Sequence, residues 1–164
     1  MFTQNDFNIN GVLEYLEEYF KFKMDYSSKN TLKGSIENVK IDLISHKYPF
    51  VKDPVLMQGP RIFSVEDIAA MKLNAIAGDE TRSKDFIDVY FILKQYSIKE
   101  ILDFYSIKYE TRNLLHVIKS LNYFDDVDIL DWPEMLHEKD LTLLKVKQTI
   151  ELYVKNISGK YLKN

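Results

Sequence analysis

Cysteine is absent from the 164 residues. Disulfide frameworks, thiolate metal sites and cysteine nucleophiles are therefore excluded together. Histidine is scarce: His46, His116 and His137 are scattered along the chain, which argues against a zinc site built from them. Glycine occurs 5 times and proline 4 times. Neither G-x-G-x-x-G nor G-K-[ST] is present, so kinase, P-loop and Rossmann readings fail. No run reaches the roughly 18 apolar residues that span a bilayer. The first residues, Met1-Phe2-Thr3-Gln4-Asn5-Asp6, lack the basic and apolar regions of a signal peptide. The expectation is a soluble cytoplasmic protein with no membrane partner. Lys plus Arg is 22 and Asp plus Glu 25, a formal net charge of -3, which excludes a uniformly basic coat but leaves room for a local basic patch.

What is present is apolar and aromatic. Hydrophobic residues make up 46% of the chain, too many for disorder, and the length suits one domain with a sizeable core. Tyr occurs 11 times and Phe 10 times, so a dense aromatic interior with few breaks is expected.

The pattern changes period along the chain. Val12, Leu13, Leu16 and Phe20 recur at helical spacing, with Glu14, Glu17 and Glu18 turned away, which predicts a helix from Ile9 to about Tyr19. Phe20, Phe22, Met24 and Tyr26 then alternate with polar residues, as in a strand. A polar turn at Ser27 to Asn30 leads to a second strand, Thr31 to Ile36. The Glu37-Asn38 turn leads to a third, Val39 to Ile44. Short connections imply an antiparallel meander. Lys47 to Pro60 reads as irregular, punctuated by Pro49, Pro54 and Pro60.

Beyond it everything reads helical. Ser64-Val65-Glu66-Asp67 resembles a capping box and Gly78 a stop; Ser83 opens a helix to about Gln95. Ser97-Ile98-Lys99-Glu100 opens a helix to about Tyr105, and Thr111 to Leu121 is a further amphipathic segment. An acidic loop, Asp125 to Glu134, precedes a long last helix from near Asp140. The fold class expected is α+β: a small β-meander with one leading helix in residues 1–62, and a helical part in residues 63–164, together one compact domain.

Three places interrupt apolar patterns with charge. Lys72 lies on the stripe of Ile68, Met71, Ala75 and Ile76, and a buried lysine is costly unless paired. Asp85 and Asp88 share a face of the next helix. A Lys72–Asp88 ion pair joining the two helices would account for both; from spacing alone it reads first as a structural salt bridge flanking the core. On the third strand, Asp42 shares a face with Lys40, while Ile41 and Leu43 take the other. It is either an outward-facing strand residue or a carboxylate held beside a metal pocket.

The runs Ile62 to Ile76 and Ser83 to Leu93, with Val39-Lys40-Ile41-Asp42-Leu43-Ile44 before them and Leu121 to Val127 after them, resemble the AbiEii/AbiGii-type toxin nucleotidyltransferase family. The resemblance covers most of the chain from Phe2 onwards. It implies a DNA-polymerase-β-like core with a helical C-terminal part, and nucleotide transfer from an NTP with Mg²⁺ to an acceptor that can be tRNA. It implies that Asp42 is the third metal-region carboxylate, that Lys72 and Asp85 lie at the nucleotide, and that Asp88 belongs to the final acidic motif. Asp42, Lys72 and Asp88 are then the catalytic candidates. On this reading Lys72 and Asp88 come within salt-bridge distance, near Asp42.

The departure from the family lies at the start. Its Gly-Ser phosphate turn and Asp-x-Asp strand should precede Phe2-Thr3-Gln4, so Met1 stands where that strand would end. Gly34-Ser35 is a decoy, because Ile44 occupies the place of the second Asp, and one carboxylate cannot organise two divalent cations. Asp125-Asp126-Val127-Asp128 falls in a loop, where a charge run is usually solvated. Lys139, Lys145, Lys147, Lys155, Lys160 and Lys163 form a basic tail that is either a solvated helix face or a contact for RNA phosphates. Two functions follow: a truncated nucleotidyltransferase-like protein, inactive alone, or a non-enzymatic binding module for a partner protein or RNA. An antitoxin is a partner by resemblance. Homo-oligomerisation through a sheet edge left open by the missing strand is also expected.

Overall fold

The computed structural model describes residues 1–79, 81–130 and 132–161, with 158–161 described by backbone alone. The chain divides into two compact units, Met1–Tyr48 and Pro49–Asn164.

The first unit holds β1 (Phe2–Thr3), α1 (Ile9–Phe20), β2 (Lys23–Ser28), β3 (Thr31–Ile36) and β4 (Val39–Ser45). The Asn8 side chain caps α1 by accepting from Gly11 N, and Lys21 ends it in the left-handed region, φ 51°. Strands β2, β3 and β4 form the expected antiparallel meander. The β3–β4 turn has Glu37 at φ 49° and Asn38 at φ 67°, the paired left-handed geometry that matches the twist of a two-residue hairpin. The sheet order is β1-β4-β3-β2. β1, which the alternation did not reveal, pairs parallel with β4 at Ile44 and Ser45; two residues are too short to show a period.

Register assigns the two faces. Leu32 opposes Leu43, Gly34 opposes Ile41 and Ile36 opposes Val39; this is the covered face, with Leu32 fully buried. Here α1 meets β2 and β3. A Cβ on Gly34 would lie 2.2 Å from the Lys23 carbonyl oxygen and 2.3 Å from Cζ of the Phe22 ring, so only glycine fits. Gly34-Ser35 is thus a mid-strand close contact, not a phosphate turn. On the other face Lys33 opposes Asp42 and Ser35 opposes Lys40.

The second unit opens with a hairpin of β5 (Val55–Leu56), inside the stretch expected to be irregular, and β6 (Arg61–Ile62), just beyond it. Gln58 at φ 51° and Gly59 at φ 118° turn it. Among the described residues five helices follow: α2 (Val65–Gly78), α3 (Ser83–Ile92), α4 (Ile98–Lys108), α5 (Leu115–Ser120) and α6 (Leu143–Tyr161). α2 lies against α3, α4 and α5, and α6 against α3 and α4. They bury one apolar cluster in which Leu73, Ile76, Phe86, Ile101, Leu102 and Ile150 have no exposed surface. Ser64 caps α2, and the Ser97–Glu100 capping box opens α4, both as the spacing predicts.

Helix ends differ where side chains or tighter turns take the backbone bonds. α3 stops at Ile92 because Lys94 N and Gln95 N bond back three residues, to Phe91 and Ile92 oxygens. α5 starts at Leu115 because Thr111 Oγ1 and Asn113 Oδ1 accept from Asn113 N and Leu115 N. Thr142 Oγ1 accepts from Lys145 N at the head of α6. No helix among the described residues is long and apolar enough to cross a membrane.

Candidate functional site

The second unit brings three of the four sequence-predicted residues together. Lys72 Nζ donates to Asp85 Oδ1 at 2.7 Å and lies 2.6 Å from Asp88 Oδ2. One lysine from α2 therefore bridges two carboxylates one turn apart on α3. The two acids differ in environment. Asp85 is 2% exposed and Asp88 45% exposed, while the lysine itself is 28% exposed. Burial weakens the Lys72 charge most, but the bonds to Asp85 and Asp88 outweigh it and raise its pKa above the ordinary 10.5. The ammonium stays charged through the physiological range.

Arg82 completes the cluster. Its Nε is 2.9 Å from Asp85 Oδ2, a charge contact outside hydrogen-bonding alignment, and Ser83 Oγ beside it is buried without a hydrogen bond among the described residues. The loop that carries Arg82 is held by Thr81, whose N–H and hydroxyl both donate to Asp79 Oδ1 and whose carbonyl accepts from Asp128 N at 2.9 Å. Arg82 escaped the sequence reading; its i, i+3 spacing from Asp85 was the signal available.

Asp67 and Lys108 were also missed, and they form the most buried charge pair of the described residues. Both side chains are 0% exposed, and Nζ donates to Oδ1 at 2.7 Å. Asp67 also accepts from Val51 N, Lys52 N and Ser64 Oγ, at 3.1, 3.2 and 2.7 Å. Lys108 also donates to the Pro49 carbonyl at 3.2 Å and stands 5.4 Å from the Phe63 ring centre. Desolvation alone would raise the Asp67 pKa; the four donors together, Lys108 first, hold it below the ordinary 3.8. The capping pattern at Ser64 marked Asp67 only as a local helix residue, and its partner lies 41 residues on.

Asp42 belongs to the first unit. It is exposed on β4, opposite Lys33, and among the described residues no side-chain hydrogen bond or ion pair engages it. In the acidic loop, Asp126 Oδ2 accepts from Tyr123 OH and Asp128 Oδ1 from Leu130 N, so these carboxylates serve local turns. Of the basic tail, Lys145 pairs with Glu138 and Lys147 with Glu151 on α6. Lys160 is described by backbone alone, and Lys163 lies outside the described residues.

Residues 2–152 match the family described as the nucleotidyl transferase AbiEii toxin of a type IV toxin–antitoxin system. The chain belongs to the AbiEii family. The resemblance read from the Lys72 and Asp85-to-Asp88 runs is thereby established. An uncharacterized protein of Aquifex aeolicus (strain VF5) is 28% identical over 129 residues, which cover 76% of this chain and 62% of that protein. The chain therefore spans less than two thirds of this relative's length. No solved structure matches it.

Nucleotidyltransferases of this family generally use an NTP and Mg²⁺. Among the described residues, no three His, Asp or Glu side chains gather as metal ligands. Asp42 is a single exposed carboxylate, and two-metal transfer needs carboxylates on both sides of the cations. The described residues do not by themselves fit such a metal pair.

Proposed function

We propose that these 164 residues carry the nucleotide-contacting part of an AbiEii-type nucleotidyltransferase and do not transfer a nucleotide by themselves. The observation that carries this reading is the Lys72 cluster. Buried Asp85, anchored by Arg82, positions the ammonium, while half-exposed Asp88 is the partner that an incoming phosphate can displace. Lys72 would then hold a phosphate oxygen as a point charge. Asp85 is a positioning residue in this scheme, and Asp88 screens the lysine when no nucleotide is bound. Asp42 is the remaining family carboxylate and would contribute to a metal only alongside ligands beyond those described.

The test is a transfer assay with radiolabelled NTPs, Mg²⁺ and bulk tRNA, alongside NTP titration followed calorimetrically. The expected result is no transfer and weak NTP binding, with Kd on the order of 1 mM, lost in Lys72→Gln. Turnover that Asp42→Ala abolishes would overturn the inactive reading. NTP affinity unchanged in Lys72→Gln would overturn the role of the cluster. An antitoxin is the protein partner proposed from membership in a toxin–antitoxin family.

A further inference from the structure

The first unit separates its charges. α1 carries Glu14, Glu17 and Glu18, all exposed, and no lysine or arginine. Glu14 and Glu18 are one turn apart and Glu17 follows Glu14 by three residues, so the three carboxylates share the outer side of the helix. Tyr15 and Tyr19, 53% and 62% exposed, run beside them with ring centres 4.9 Å apart. The uncovered face of the sheet carries Lys23, Lys33 and Lys40, also exposed. Register puts Lys33 on a diagonal to each of the other two, within about 8 Å at Cβ. Asp42 stands opposite Lys33 in these rows, and Asp25 sits at the bulge between Met24 and Tyr26, outside the pairing. Among the described residues none of the three glutamates and none of the three lysines forms an ion pair. Like charges this close repel until opposite charge neutralises them.

We propose that the first unit stacks on a second copy of this chain, the acidic outer side of α1 in one copy docking on the lysine face of the sheet in the next. Charge complementarity chooses the occupant. Three unpaired carboxylates, one helical turn apart, meet three unpaired ammonium groups, one strand diagonal apart, and the long lysine stems span the difference in spacing. Tyr15 and Tyr19 offer ring faces to the lysine heads. The two surfaces cannot meet within one copy, because α1 lies on the covered face of the sheet and the lysines on the other. The contact is therefore head-to-tail, and it extends to further copies unless a ring closes. It uses side-chain charge, whereas pairing at a strand edge uses main-chain groups. Nothing in it rests on the nucleotidyltransferase reading.

The test is sedimentation velocity on the full chain, from about 5 to about 200 μM, at about 50 and about 300 mM salt. The parent should form concentration-dependent dimers and larger species at the lower salt, and associate about tenfold more weakly at the higher. Two charge-reversed variants decide: Lys23→Glu with Lys33→Glu and Lys40→Glu, and Glu14→Lys with Glu17→Lys and Glu18→Lys. Each alone should lose the salt-sensitive association. An equal mixture of the two should regain it, because each reversed face then meets one of opposite sign. If either variant does not fold, Glu14→Gln with Glu17→Gln and Glu18→Gln decides instead, with association at low salt at least about fivefold weaker. A parent without salt-sensitive association at the highest concentration overturns the proposal. So does association that salt and charge reversal leave unchanged, which is the signature of strand-edge pairing. A monomer whose glutamates instead bind a poly-lysine peptide would assign the α1 face to a different cationic partner, and overturns it as well.

Discussion

The two units handle apolar surface and charge in opposite ways. Among the described residues, two apolar side chains are buried in the first, Phe22 and Leu32, whereas in the second twenty-four are buried in one cluster. The second pairs many of its cations: Lys52, Lys72, Lys94, Lys99, Lys108, Lys145 and Lys147 each meet a carboxylate. In the first, among the described residues, only Lys47 does so, with Asp6 at 2.5 Å. A paired lysine stabilises a fold locally, while an unpaired cluster is available to a ligand at little cost in solvation. The second unit is thus the scaffold on which the Lys72 cluster is held, and the first is a thin sheet whose exposed chemistry suits recognition.

The largest test of this contrast is the buried pair. Lys108→Met would leave Asp67 charged and buried with three donors, and should cost about 3–5 kcal/mol in urea unfolding. Lys33→Met, an exposed change on the sheet, should stay within about 0.5 kcal/mol. A Lys108→Met cost below about 1 kcal/mol would remove the distinction. The pH profile sharpens it. Asp67 has a folded pKa below its ordinary value of 3.8, so the unfolded chain binds the extra proton and stability rises with pH through that window. That contribution is complete above about pH 4 and is lost as pH falls through the lowered value. Lys108→Met removes the strongest of the donors lowering the Asp67 pKa, so acid unfolding should move to higher pH.

The same pair shows where sequence reasoning stops. β3 was legible at both ends because polar turns bracket it, and α4 was legible because Ser97 and Glu100 cap it within four residues. The Lys72–Asp88 pair could be inferred because each residue breaks a local apolar pattern. That Asp85 is the buried partner, and Asp88 the exposed one, depends on the rotation of α3 against α2, which spacing does not set. Asp67 and Lys108 each look ordinary beside their own neighbours, and only tertiary packing brings them together. β1, β5 and β6 are two residues each, below the length at which alternation can be seen.

A smaller effect should come from Gly34→Ala. The added methyl meets the Lys23 carbonyl and the Phe22 ring, so overpacking should cost about 1–3 kcal/mol. With Phe22 and Leu32 as its only buried apolar side chains among the described residues, the first unit has little else to absorb the shift. Hydrogen exchange should show lost protection in β2 to β4, with α2 to α4 unchanged. Equal loss in both units would mean that they unfold as one cooperative body and that the contrast in cores has no energetic expression.

The smallest effect concerns the outer edge of β4. β1 covers only Ile44 and Ser45, while Met1 donates its ammonium to the Asp42 carbonyl and accepts from Ile44 N through its own carbonyl. Alternation along β4 then directs the Lys40 N–H and C=O to the same edge, beyond the reach of β1. Edge groups of this kind pair with other chains, and Val39, 65% exposed beside Lys40, adds apolar surface. Weak self-association through this edge is the expected outcome, visible by light scattering at micromolar concentration and above. Lys40→Pro removes one edge donor and should shift the equilibrium to monomer while leaving the far-UV spectrum unchanged. A stable interface would bury more than roughly 1,000 Å², which a short exposed edge does not supply alone, so the association should be dilution-sensitive. A clean monomer at every concentration would show that Lys40 and its cationic neighbours guard the edge, as charged side chains do on many exposed strands.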